Sequence, residues 1–174
     1  KQRLSRLSAL RNVDRAITSS FNLDVTFNVL LSQMLSELNV DAVDIFQYNP
    51  GTYQFEYMAG KGFKTDRWQS LKYNDGDGLV GWVARDRSLV MIPDLAQKQE
   101  VILRGDMIKE EDFKQYFGIP LIAKGELKGV MEIFQRTPFI AKDEWLDFFE
   151  AMATQAAIAL DNANLIDHVR RFDM

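Results

Sequence analysis

The sequence predicts an α+β domain in which helices from both ends of the chain cover one face of an antiparallel sheet. Apolar residues recur at helical spacing near both ends and alternate at strand spacing between them. The strand-like segments come in pairs separated by short turns, which is typical of antiparallel hairpins. At 174 residues the chain fits a single domain. We therefore expect residues 1–174 to form one domain, with 1–20 and 142–171 as terminal helices that continue toward neighbouring domains.

Three helices are predicted from the spacing of apolar residues. Leucines at three-residue steps mark the first, over residues 3–20. The second runs from Asp24, which we expect to be its N-cap, to about residue 38. The third runs from Asp143 to Arg170, with acidic residues in its first turn and arginines in its last, as the helix dipole favours.

The segments between these helices alternate like strands. Five strands are predicted, as two hairpins and a single strand: 40–48 with 53–59, 88–92, and 116–123 with 129–135. A glycine-rich turn leads into a short helix near Gly78. The polar segment 95–112 is either a long loop or a set of short helical turns.

The chain has no cysteine and one histidine, which restricts its chemistry. Without a thiol there is no disulfide, no iron–sulfur cluster, no cysteine zinc site and no thiolate nucleophile. No pair of nucleophile and base stands out in the sequence either. We therefore expect a protein that is not an enzyme, with no catalytic residues and no metal site.

Charge and hydropathy exclude two further classes of protein. The net charge is −4, and no segment concentrates Lys and Arg among aromatic residues, so we expect no nucleic acid partner. No apolar run approaches the roughly 18 residues of a membrane span. The N-terminus lacks the apolar centre of a signal peptide, and we interpret the chain as a part of a longer cytoplasmic protein.

Three stretches of the sequence carry a family pattern. They are Asp77–Ala84 followed by Ile92–Asp94, then Gly118–Ile122 followed by Gly129–Phe134, and finally Gln155–Ala163. In this order and spacing they resemble a GAF domain over residues 5–170. The resemblance implies a six-stranded antiparallel sheet with helices on one face and a small-molecule pocket on the other. It also implies a sensory module joined to an output domain, such as a kinase, cyclase, phosphodiesterase or transcription-activating domain.

Missing residues exclude several ligands of GAF domains. A covalently attached tetrapyrrole and the sulfoxide reductase activity of some members both require cysteine. Haem needs an axial ligand, commonly histidine, and His168 stands near the end of the last helix, away from the predicted pocket. The Asn-Lys…Phe…Asp-Glu pattern of cyclic-nucleotide-binding members is missing, so a cyclic nucleotide is a weaker alternative. We expect no covalent cofactor and a non-covalent ligand of unknown identity.

Strand parity brings two carboxylates to one face of the predicted sheet. Glu132 alternates with apolar residues along one strand, and Asp44 does so along another. A carboxylate among apolar side chains needs a partner or its pKa rises, so Glu132 is the best polar candidate for a ligand contact and Asp44 the second. The alternative is that each caps backbone or faces solvent. Parity predicts these ligand-binding residues: Asp44, Phe46, Glu132 and Phe134. The resemblance adds these at the border of the pocket: Met58, Leu79, Val80 and Asp106.

The terminal helices suggest how a signal would leave the domain. Apolar residues of the last helix repeat every seven residues, and its length of roughly 42 Å is comparable with the whole domain. We expect a homodimer through these contact residues: Leu4, Leu7, Leu10, Ala159, Ala163 and Ile166. The alternative is that the helices pack only within one chain.

Together these features predict a non-enzymatic sensory module. It would bind a small molecule and relay a change through its terminal helices to an output domain. The main rival is a ligand-free dimerisation and spacer domain. A filled sheet face beside Glu132, with no cavity, would favour that rival.

Overall fold

A computed structural model describes residues 5–12, 22–102 and 104–172, with the side chains of these residues up to 163 apart from 100 and 101. In this part of the chain six strands form one sheet, with every pair antiparallel. The strands are β1 Ala42–Asn49, β2 Gln54–Lys61, β3 Lys72–Asn74, β4 Val90–Ile92, β5 Gln115–Ala123 and β6 Glu126–Gln135. Their order is β3-β2-β1-β6-β5-β4, which places β1 and β6 at the centre. The predicted α+β fold is confirmed.

Five α-helices surround the sheet in the described residues. They are α1 at 5–12, α2 Leu23–Leu38, α3 Gly78–Asp86, α4 Gly105–Glu110 and α5 Asp143–Phe172. The N-cap of α2 is Asn22, not Asp24, because the Asn22 side-chain oxygen accepts the Asp24 amide at 2.9 Å. Asp24 instead lies in the first turn, where the helix dipole favours its charge. Residues 13–20 of the predicted first helix lie outside the described residues.

One face of the sheet, the helix side, is covered by α2 and α5. Apolar side chains of β1 and β6, such as Ile45 and Met131, are buried against Phe27 of α2 and Phe149 of α5. The two helices are also joined by Trp145, whose indole N–H donates to the Leu38 carbonyl at 3.1 Å.

The opposite face, the acid side, carries Asp44 and Glu132. It is covered by α3, α4 and two 3-10 segments, Asp66–Ser70 and Leu95–Val101. The predicted parity is confirmed, because the side chains pair across β1 and β6 as Ala42 with Phe134, Asp44 with Glu132 and Phe46 with Val130.

Two parts of the structure are more regular than the sequence indicates. β3 has three residues, too few for alternation to be visible. The segment 95–112 contains both a 3-10 segment and α4, which fits the second of the two readings offered for it. The segment 95–112 lies over the acid side, whereas β3 extends the sheet itself beside β2.

Candidate functional site

Asp44 and Glu132 face each other at the centre of the sheet. They form a register pair between β1 and β6, and both are buried, with 0% and 3% of their surface exposed. Their neighbours on the acid side are apolar or tyrosine side chains. We call these two residues the acid pair. Two carboxyls that lie this close together and are this deeply buried cannot both be ionised without a large cost in free energy.

Burial is the main influence on the protonation of the acid pair. It raises the pKa of Glu132 to about 7, although hydrogen bonds from Asp44 and Tyr116 oppose the rise. Burial raises the pKa of Asp44 well above its usual value, and the neighbouring Glu132 charge raises it further. The Tyr116 hydroxyl donates to Glu132 Oε2 at 2.5 Å. The pair therefore carries at least one proton below neutral pH.

Asp44 is less well supported than its partner. Neither of its oxygens accepts a hydrogen bond from a donor group of the protein. A hydrogen bond to Glu132 forms only when one of the two carboxyls is protonated. A single shared proton satisfies one Asp44 oxygen and leaves the other without a donor. A buried acceptor in this state costs free energy, and such groups are uncommon in folded proteins.

Two glycines extend the row of the acid pair across the sheet. Gly60 of β2 pairs with Asp44, and Gly118 of β5 pairs with Glu132. A Cβ atom at Gly60 would collide with the Tyr57 hydroxyl, and one at Gly118 would collide with the Tyr116 hydroxyl. The absence of side chains at the two glycines therefore makes room for a tyrosine hydroxyl on each flank of the acid pair.

A third tyrosine, Tyr73 of β3, completes this polar cluster. Its ring lies 5.4 Å from that of Phe46, and burial together with the two acidic neighbours raises the pKa of its hydroxyl. Burial also raises the pKa of Tyr57 to about 12, with a contribution from Asp44. All three hydroxyls are therefore neutral and available as donors at physiological pH. Sequence reasoning missed these tyrosines, because each looks like an ordinary strand aromatic.

Most of the residues predicted for the pocket lie together on the acid side. Phe46 and Phe134 are buried beside the acid pair in register positions next to it. Leu79 and Val80 belong to the same buried cluster through α3. Their participation in ligand binding stays a prediction.

Two predicted pocket residues lie elsewhere. Met58 packs against the helix-side core, because a β-bulge places Met58 and Ala59 together opposite the Ile45–Phe46 step. The bulge turns Gly60, rather than Ala59, toward the acid side. Asp106 is exposed on α4, where it makes an ion pair with Arg67 at 3.4 Å. Neither Met58 nor Asp106 lies beside the acid pair, and their position at the border of a ligand pocket stays a prediction.

A second buried carboxylate site was not predicted at all. Glu111, just after α4, is fully buried and accepts from the Lys64 amide at 2.8 Å and from the Trp68 indole at 3.0 Å. Arg136, just after β6, donates to the same carboxylate at 2.8 Å. Unlike Asp44, Glu111 has all its hydrogen bonds supplied by the protein. Its hydrogen bonds join separate segments of the chain, which is typical of a structural role.

Three clefts of the described surface lie away from the acid pair. One of about 400 Å³ lies between the segment Leu95–Val101 and α4, with Asp106 and Phe113 in its lining. Others of about 220 Å³ and about 230 Å³ lie at the β1–β2 turn and between α1 and α5. Asp44 and Glu132 line none of these three clefts.

The residues predicted for a dimer contact are divided. Leu7 is half exposed on α1, and Leu10 packs partly against the helix-side core. Ala159 is buried within the chain, and Ala163 is partly buried. Leu4 lies outside the described residues, as do the side chains of Ile166 and His168. The dimer contact stays a prediction.

The sequence model of the GAF domain matches residues 22–161, from the cap of α2 into α5. The chain belongs to the GAF domain family. GAF domains serve as regulatory modules of larger signalling proteins, and this chain shares that general role.

Two curated relatives of this GAF domain are much longer than the chain. It is 25% identical over 159 residues to an Escherichia coli (strain K12) protein described as "Phosphoenolpyruvate-dependent phosphotransferase system", covering 91% of this chain and 21% of the relative. It is 21% identical over 131 residues to the Nif-specific regulatory protein of Herbaspirillum seropedicae, covering 74% and 24%. The chain therefore spans less than a quarter of the length of these relatives.

Solved structures have the same fold as this GAF domain. The GAF domain of a phosphoenolpyruvate-protein phosphotransferase from Coxiella burnetii superposes with a TM-score of 0.82 at 23% identity, covering 95% of this chain and 98% of that one. The free methionine-R-sulfoxide reductase of Neisseria meningitidis superposes with a TM-score of 0.75 at 9% identity, covering 92% and 91%. At such identities the likeness concerns the fold alone.

Two further kinds of site are not found in the described part of this GAF domain. No group of three or more His, Cys, Asp or Glu side chains there is placed to hold a metal ion. No helix there combines the length and the apolar character needed to span a membrane.

Proposed function

We propose that this GAF domain is the sensory module of a larger cytoplasmic protein. It binds a small molecule non-covalently at the acid pair and relays the binding through its terminal helices to an output domain. It has no catalytic role of its own. The observation that carries this proposal is Asp44, a fully buried carboxyl for which the protein supplies no hydrogen bond except through a proton shared with Glu132.

Energetics support a functional rather than a structural role for the acid pair. Apolar residues of similar volume at the centre of a sheet would be neutral or stabilising compared with buried ionisable ones. Titratable groups shifted by burial and a nearby charge are typical of functional sites. Asp44 and Glu132 therefore reduce stability, and a ligand that supplies the missing donors would recover part of that cost.

The relay begins at Glu111, which joins the cover of the acid side to the end of β6. Trp68 belongs to the buried cluster around the acid pair and donates to Glu111. Arg136 donates to the Glu111 carboxylate from the chain segment that leads toward α5. A movement of the cover is therefore transmitted to Arg136 through short, buried hydrogen bonds.

The relay continues into α5 through Phe139. The Gln115 side chain holds the Phe139 backbone on both sides, donating to its carbonyl at 2.7 Å and accepting from its amide at 3.0 Å. The Phe139 ring lies 5.2 Å from that of Trp145 in the first turns of α5. The start of α5 is thus fixed to the same connector that Arg136 begins.

The output domain and the second copy belong to this proposal as well. We expect a kinase, cyclase, phosphodiesterase or transcription-activating domain beyond α5, and the relatives include a phosphotransferase system protein and a regulatory protein. We expect a homodimer through α1 and the end of α5. The half-exposed Leu7 beside the shallow cleft between α1 and α5 supports this.

One observation favours the rival function, a ligand-free dimerisation and spacer domain. The acid pair is buried and lines none of the three clefts described above. If the rival function is correct, no ligand binds at the acid pair, and its two carboxyls are joined by a shared proton. A ligand under the main proposal must displace a side chain to enter.

Native mass spectrometry of the freshly purified chain distinguishes the two functions. We expect a retained small molecule on the wild-type chain and on Glu150→Gln, which removes an exposed carboxylate of α5. We expect its loss from Asp44→Asn. A wild-type chain without any adduct, across preparations from several growth media, would support the spacer function instead.

A further inference from the structure

We infer that the group held by the acid pair is a primary ammonium or a similarly compact cationic donor. This inference rests on the proposed function, because it names the chemical class of ligand for the same site. Three features of the described residues carry it: the count of free acceptors, the lack of a cation, and a half-exposed side chain at the entrance.

The acceptors of the acid pair match the donors of an ammonium group. Two carboxylates offer four oxygens, and Tyr116 occupies only Glu132 Oε2. When both carboxyls are ionised, neither Asp44 oxygen accepts from any donor group of the protein. An ammonium group has three N–H donors and no acceptor, whereas a carboxylate or phosphate ligand has only acceptors and would repel the pair.

The protein supplies no cation to the acid pair within the described residues. None of the ion pairs found there includes Asp44 or Glu132. The pKa of Glu132 is affected by burial, Asp44 and the neutral Tyr116 hydroxyl, and that of Asp44 by burial and Glu132, so no cation acts on either carboxyl. A cationic ligand would therefore neutralise charge that the protein leaves uncompensated.

Tyr57 is the entrance to the site. It is half-buried, whereas Tyr116 is fully buried and Tyr73 nearly so. Its hydroxyl fills the space over Gly60, the residue that pairs with Asp44. Rotation of this one side chain would uncover Gly60 and with it the flank of Asp44.

Binding of a cation to this site displaces a proton. The ligand prefers the ionised form of Glu132, whose pKa burial raises to about 7, so a proton must leave this group when the ligand binds below that pH. With one proton released, the affinity rises about tenfold per pH unit as the pH rises toward 7. An alkyl ammonium keeps its charge throughout, since its pKa resembles that of lysine at about 10.

The test is a titration of the ¹⁵N-labelled chain followed by NMR, with propylammonium chloride as the probe. The amides of Gly60 and Gly118 report on the two flanks of the acid pair. Potassium chloride at the same ionic strength, sodium propionate and 1-propanol are the matched probes. Asp44→Asn and Glu150→Gln are the variants, and the spectrum itself verifies that each is folded.

We expect saturable chemical-shift changes of both glycine amides with propylammonium and with none of the other probes. The affinity for propylammonium should rise with pH between 5 and 7. Binding should be weakened about tenfold or more in Asp44→Asn but not in Glu150→Gln. Three outcomes overturn the inference: shifts that saturate equally in Asp44→Asn, no saturable shift with propylammonium, or shifts with propionate or propanol that depend on Asp44. The last would leave the proposed function standing, with a ligand of another class. A retained molecule in native mass spectrometry that depends on Asp44, without any propylammonium effect, would do the same.

Discussion

The two faces of the sheet differ in the kinds of side chain that they bury. On the helix side, side chains such as Ile45 and Met131 meet Phe149 in a large apolar core. On the acid side lie the three buried carboxylates of the described chain: Asp44, Glu111 and Glu132. Both faces belong to the same strands, so the difference arises from alternate residues of the same segments.

This difference separates stability from function. The helix side gains free energy from burial of apolar surface, which needs no ligand and has no dependence on pH. The acid side holds one carboxylate site that the protein satisfies, at Glu111, and one that it leaves incomplete, at Asp44. The complete site connects structural elements, and the incomplete one is suited to a ligand. Four substitutions or titrations test this division.

The largest effect is expected on the helix side. Phe149→Ala removes a fully buried ring and should lower the free energy of unfolding by about 3–5 kcal/mol, because it leaves a cavity. Ile158→Ala, on the same helix but 39% exposed, should change it by less than about 1 kcal/mol. Urea denaturation measures both. Similar losses for the two variants would contradict the position assigned to this core.

The junction on the acid side should be nearly as sensitive. Glu111→Gln turns an amide NH₂ toward groups that are themselves donors and removes the partner of Arg136, so we expect a loss of about 2–4 kcal/mol. Glu110→Gln, its neighbour, breaks only the exposed ion pair with Arg67 and should cost less than about 1 kcal/mol. Equal stability of the two variants by urea denaturation would remove Glu111 from the relay.

The space beside Gly118 is occupied by the Tyr116 hydroxyl, so we expect a side chain at this position to lower the stability of the fold. Gly118→Ala places a methyl group against the Tyr116 hydroxyl and Val83, and we expect it to cost about 1–3 kcal/mol. Gly105→Ala, where a Cβ meets nothing within 4 Å, is the matched control and should be neutral or slightly stabilising. Thermal denaturation of both variants is sufficient. A harmless Gly118→Ala would mean that Tyr116 is not fixed beside Glu132.

Per pH unit, the smallest expected effect is the change in the free energy of unfolding with pH. The pKa of Glu132 rises from 4.5 in the unfolded chain to about 7 in the folded one, so its contribution is present below pH 4.5 and is lost as the pH rises toward 7. We expect a decline of about 1.4 kcal/mol per pH unit for each proton retained by the folded state. Asp44→Asn should flatten this decline, whereas Glu150→Gln should not. A free energy of unfolding that is constant from pH 5 to 7 would contradict the burial of an ionisable pair.

Much of this comparison is visible in the sequence, because it depends on strand parity. Alternation along two apolar strands suffices to place Asp44 and Glu132 on one face, and the register of β1 with β6 confirms it. The helices at both ends follow equally well from their apolar spacing. These features are local, and local patterns predict them.

Other features depend on contacts that are distant in sequence. The bulge at Met58 changes which residues of β2 face each side of the sheet, and nothing in the sequence of that strand predicts it. Glu111 lies in the charged run 109–114, where six-residue α4 is too short for its spacing to show which acid is buried. The role of Gly118 depends on a tyrosine two residues earlier, a pattern that gains meaning only beside Glu132.

The most direct test of the account is the free energy of unfolding of the double variant Asp44→Asn/Glu132→Gln at pH 7.5, compared with the wild-type chain free of ligand. If the acid pair is kept for function, its neutral isosteres should leave the domain as stable as the wild type or more so, while removing the retained molecule. A loss of several kcal/mol would contradict the account, because it would mean that the two carboxylates hold the sheet together.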